Sequence, residues 1–128
     1  MNEWMQTFIE RMQRTFAGRV AFIGLQGSRA RGEATPQSDI DVVVVLDALE
    51  ASDISAYRAA LRGLPEQEKI CGFLSGRAEL AAWERSDLFQ FVYDTIPFYG
   101  NLCDIVPPPS REDARTAALV GACNIYHG

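Results

Sequence analysis

Lysine is almost missing from this 128-residue chain: Lys69 is the only one, beside eleven arginines. That excludes a polybasic membrane-surface segment. Basic residues are also outnumbered, 12 against 17 acids, for a formal net charge of −5. A chain of that sign has no general electrostatic pull on DNA or RNA, so no broad nucleic-acid interaction is expected. Histidine occurs once, as His127, next to the end. Cysteine occurs three times, as Cys71, Cys103 and Cys123, widely spaced and with no CxxC. Neither a disulfide framework nor a zinc site is expected from that pattern, and the default setting is the reduced cytoplasm. No apolar run approaches the roughly 18 residues of a membrane span. The opening MNEWMQTFIERMQ lacks a basic segment followed by an apolar run, so neither a secretory leader nor membrane insertion is expected.

What is present is ordinary globular material, 48% hydrophobic and 10% aromatic. The length suits one domain, 1–128, able to bury about two-thirds of its unfolded surface. Trp4, Met5, Phe8, Ile9, Met12 and Phe16 recur at spacings of three and four, which predicts a helix over 3–17 with Gly18 placed to end it. RVAFIGLQ, 19–26, is apolar on both faces and reads as an interior strand. DIDVVVVLD, 39–47, reads the same way. A helix is expected over 52–63, with Ile54, Tyr57 and Leu61 inward and Gly63 as stop. EKICGFLS, 68–75, is a third strand, in which Cys71 reads as a small buried hydrophobe. One or two helices over 77–93 and a short strand over 95–99 follow, with Pro97 requiring an edge position. Trp83, Phe89, Phe91, Tyr93, Phe98 and Tyr99 read as core and interface aromatics. After Pro107, Pro108 and Pro109, a helix over about 110–127 is rich in small apolar residues. It suits packing on a second copy or a helical partner protein, or equally on this domain's own sheet. The order predicts an α/β (α+β) fold: one mixed sheet of four to five strands with helices packed on it.

The segment from Gly27 to Asp41, GSRARGEATPQSDID, carries the chemistry. Asp39 and Asp41 stand at i and i+2 at the start of a strand, so both carboxylates share a face, with β-carbons about 7 Å apart. Ile40 and Val42 point the other way. Such a pair can hold one divalent cation or two. Gly27 ends the preceding strand, where a backbone can approach a ligand closely. Ser28 opens a short helical turn whose N–H groups and hydroxyl suit phosphate oxygens. Arg29 and Arg31 add planar cationic forks. Ser38 can brace the turn or the metal shell. A phosphate cradle, a return loop and a paired-carboxylate site in that order fit a nucleoside triphosphate with Mg²⁺.

The pattern Gly27, Ser28, Ala30, Gly32, then Ser38, Asp39 and Asp41 before an apolar run resembles the DNA polymerase β-type nucleotidyltransferase superfamily. It is most similar to the small bacterial branch of minimal and antibiotic nucleotidyltransferases. The resemblance is strong over 19–47 and extends more weakly to about 102. It implies the nucleotidyltransferase fold, with Gly27 and Ser28 holding a triphosphate and Asp39 and Asp41 binding two Mg²⁺ ions. The implied reaction moves a nucleoside monophosphate, AMP from ATP, to a hydroxyl of a small molecule or a protein. The resemblance also implies a third carboxylate on a later strand. The core of 68–75 has none, and Glu79, just after it, is the candidate catalytic acid. Without such an acid, the alternative is a nucleotide-binding regulatory or antitoxin-like subunit that transfers weakly.

Overall fold

In the computed structural model, residues 1–102 and residue 105 are described. The helix expected over 110–127, the proline run, Cys103, Cys123 and His127 lie outside them. Helix α1 (Asn2–Phe16) leads into strand β1 (Val20–Gln26) and a four-residue helix α2 (Gly27–Ala30). After a return loop come β2 (Ile40–Leu46), α3 (Ala51–Leu61) and β3 (Ile70–Gly76). Two helices, α4 (Arg77–Ala81) and α5 (Arg85–Asp94), precede the short strand β4 (Ile96–Tyr99). The strands form one mixed sheet in the order β3-β2-β1-β4. β1 runs antiparallel to both neighbours, and β2 and β3 are parallel. No helix among the described residues is long and apolar enough to cross a membrane.

Both sheet faces are covered, which is why the inner strands carry apolar residues on both. On one face Ile23, Leu25, Ile40, Val42 and Val44 pack with Met5, Phe8 and Met12 of α1 and Tyr57 and Ala60 of α3. On the other, Phe22, Val43 and Val45 meet Leu80 of α4 and Leu88, Phe91 and Val92 of α5, together with Leu102 and Ile105. The side chains of β1 do not alternate throughout. Val20 pairs with Leu46 but Phe22 with Val45, so Ala21 is an extra residue at a β-bulge. The bulge puts Val20 on the same face as Ile23 rather than with Phe22. Pro97 lies in the edge strand β4, as its missing N–H requires.

Several local expectations are corrected. The left-handed residue after α1 is Ala17, not Gly18, with φ 53°. Ile54 is 45% exposed, and the inward position at the start of α3 belongs to Asp53. The Asp53 carboxylate accepts from the Glu50 backbone N–H at 2.8 Å and from two nitrogens of Arg19. The Arg19 guanidinium, helped by that backbone bond, holds it below the usual carboxylate range. Phe89 and Phe91 are buried, but Tyr93 and Tyr99 are exposed. Cys71 is exposed as well, because β3 is an edge strand whose start opens into a cavity.

Candidate active site

The strand ends form a row. Asp41, the second residue of β2, pairs with Gln26 at the end of β1 and with Cys71 near the start of β3. Gln26 Nε2 donates to Thr95 Oγ1 at 2.7 Å, just before β4. Asp41 shares its face with Val43 and Val45, the face that α5 covers, while Ile40 and Val42 turn to α1 and α3. The expected alternation holds within β2 for Asp41 against Ile40 and Val42. Asp39 lies one residue before the strand and is exposed.

Gly27 is pressed against Asp41. Its φ is +75°, and a β-carbon there would lie 2.1 Å from Asp41 Oδ2. Only glycine suits both the left-handed backbone and that approach. The close packing places the start of α2, with Ser28, beside the Asp41 carboxylate. A cavity of about 330 Å³ opens at this point, and Gly27, Arg31, Asp41, Cys71 and Asp94 are among the residues that line it. Desolvation, then the Asp41 carboxylate and, last, that of Asp39 push the Cys71 thiol up.

The return loop is tied down from both sides. Arg29 Nη2 donates to the Ser38 carbonyl at 2.9 Å, so Arg29 braces the residue before Asp39. The Ser38 hydroxyl accepts from the Thr35 N–H at 2.9 Å, within the turn. The ammonium of Lys69 donates to the Pro36 carbonyl and to Glu66. Arg31 pairs with Glu33 at 3.5 Å, well exposed, and borders the cavity.

Glu79 is not brought to the site. It is exposed on α4, which follows the far end of β3, and its carboxylate lies against Gly76. Gly76 pairs with Leu46, five residues along the ladder from Cys71 and Asp41, about 17 Å away at a strand's rise. Nearness in sequence to β3 thus put it at the wrong end of the strand. The acid that does border the cavity, Asp94, ends α5 and carried no motif signal. Only the sheet order, which sets β4 beside β1, brings it round.

A second cavity of about 570 Å³ adjoins the first and shares Gln26, Phe73 and Asp94 with it. Its wall is an aromatic cluster: Phe73 and Trp83 meet edge-on at 5.4 Å between ring centroids, and Trp83 and Phe91 at 5.3 Å. Glu84 and Asp87, at the start of α5, border it on the polar side. Ser86 and backbone N–H groups bond to Glu84 and hold its carboxyl below the usual range.

Among the described residues, no three His, Cys, Asp or Glu side chains form a ready metal cage. The donors at Asp39 and Asp41 nonetheless fit Mg²⁺. That ion takes one or two carboxylates and completes its shell with water and substrate phosphates.

Residues 5–115 match the family model described as a nucleotidyltransferase domain. No curated protein matches the chain in sequence. Among solved structures, the chain is similar to spectinomycin adenyltransferase from Enterococcus faecialis, solved with ATP and spectinomycin, at 17% identity and a TM-score of 0.62. That likeness covers 90% of this chain and 63% of the other. A Sulfolobus solfataricus protein provisionally assigned as a nucleotidyltransferase is similar over 78% of this chain and 80% of its own, with 17% identity and a TM-score of 0.54. A toxin–antitoxin solved with AMP-PNP is similar over 95% of this chain and 88% of its own, with 19% identity and a TM-score of 0.50. At these identities the likeness is one of fold.

Proposed function

This chain belongs to the nucleotidyltransferase domain family, and from that premise we propose that it moves AMP from ATP to a hydroxyl of a small molecule or a protein, with Mg²⁺. The observation that carries the reading is the seating of Gly27 on Asp41, which sets the turn after β1 against a carboxylate at one cavity. In this reading Gly27 and Ser28 receive the triphosphate and Arg31 faces its negative charge. Arg29 and Ser38 hold the return loop in shape. Asp39 and Asp41 hold the metal, as two ions when nucleotide is present. Bound there, Mg²⁺ neutralises phosphate charge and favours attack on the α-phosphorus. The acceptor enters through the larger, aromatic-walled cavity, which meets the first at Gln26, Phe73 and Asp94.

A second reading has one specific observation behind it. The β3 residue that stands beside Asp41 is Cys71, so β3 brings no carboxylate to the site. A nucleotide-binding subunit with weak transfer, working beside a partner protein, would have such a site. Pyrophosphate release from ATP and Mg²⁺, measured against a panel of hydroxyl acceptors, separates the two. Transfer predicts acceptor-dependent release. Binding of ATP with no release under any acceptor contradicts it.

A further inference from the structure

We propose that Asp94 is the catalytic residue that takes the proton from the acceptor hydroxyl. The inference rests on the transfer reading above and identifies the base that β3 does not supply. The chemistry requires one. As the hydroxyl oxygen attacks, its bond to the α-phosphorus forms and the bond from that phosphorus to pyrophosphate breaks. The electron pair of the broken bond leaves with pyrophosphate, and the hydroxyl proton must pass to a base.

The base has to stand where acceptor and α-phosphate meet, at the junction of the two cavities. Among the described residues, Asp94 is the carboxylate that borders both. Asp41 borders only the smaller one and is given to the metal. Asp87 borders only the larger one. Glu84 also borders only the larger and is bonded to Ser86 at the start of α5. Glu79 is at the far end of β3.

The fold fixes the position of Asp94 through its neighbours. Thr95 is buried, donates to the Phe91 carbonyl at 2.6 Å and accepts from Gln26 Nε2 at 2.7 Å. Gln26 is the register partner of Asp41. With strands about 4.8 Å apart, Thr95 stands about 10 Å from Asp41 across Gln26, and Asp94 is the residue just before it, on the border of the cavity that Asp41 also lines. Asp94 Oδ2 accepts from Gln90 Nε2 at 2.7 Å, one turn back on α5, and this bond holds the carboxylate's orientation.

The test uses the whole chain, ATP, Mg²⁺ and the same panel of hydroxyl acceptors, glycerol among them, with Asp94→Asn and Asp94→Glu beside the wild type. Calorimetry with the α,β-methylene analogue of ATP reads binding separately from reaction. The expected result is analogue binding by Asp94→Asn within about threefold of wild type. Its pyrophosphate release should be slower by about 100-fold or more, the usual worth of a general base. Asp94→Glu keeps a carboxylate and should retain measurable release. Release by Asp94→Asn at the wild-type rate overturns the assignment. Loss of analogue binding in a folded Asp94→Asn also overturns it, because the residue then belongs to the nucleotide site. A wild type that binds the analogue but releases no pyrophosphate overturns both Asp94 as base and the transfer reading, leaving nucleotide binding intact. A wild type that fails to bind the analogue removes the nucleotide site itself.

Discussion

A methyl group on Gly27 would have to share space with a carboxylate oxygen of Asp41, 2.1 Å away, and sit on a backbone at φ +75°. A side chain at such a φ costs about 1–3 kcal/mol by itself. Gly27→Ala is therefore expected to destabilise the domain by about that amount and to push Asp41 out of place. Urea denaturation should show the first effect, and loss of calorimetric Mg²⁺-ATP binding the second. A variant of unchanged stability and affinity would mean that the turn and the carboxylate are not coupled. This residue was legible in the sequence because its chemistry is local: a glycine at a strand end, fourteen residues before the second aspartate. Asp94 was not legible for the opposite reason. Nothing within its own helix distinguishes it from a surface acid, and its place at the site follows from pairing between β4 and β1.

At the scale of elements, the sequence pattern located the longer helices and the four strands of the described residues to within a few positions. What it missed are the places where tertiary contacts override local pattern. The extra residue at Ala21 changes which side chains of β1 share a face, and no alternation rule announces it. Ile54 faces outward because Asp53, bonded to Arg19 and to the Glu50 N–H, takes the inward position. The contact between α3 and β3 carries a further consequence. The Tyr57 hydroxyl is buried, has no hydrogen-bond partner among the described residues, and occupies the space beside Gly72 where a side chain would stand. Burial pushes that phenol up from its ordinary value. An unmet buried hydroxyl costs about 1–3 kcal/mol, while removing it leaves the ring packed. Tyr57→Phe is thus expected to leave stability unchanged or to raise it by up to about 1 kcal/mol in urea denaturation. A loss of more than about 1 kcal/mol would show that the hydroxyl makes a bond.

For the molecule as a whole, the sheet brings four strand ends into one row, and the loops at that end carry the motif. The acidic balance and single lysine speak against general nucleic-acid binding, and that lysine is spent on holding the return loop at Pro36. In the proposed function, Asp39 and Asp41 join metal to triphosphate beside Gly27. Calorimetric titration of Mg²⁺-ATP into the wild type, Asp39→Asn and Asp41→Asn tests it most directly. Saturable binding by the wild type, with affinity reduced by about 30- to 150-fold in each variant, is the predicted result, as expected when a charged contact of about 2–3 kcal/mol is removed. Equal affinity in all three proteins would contradict it.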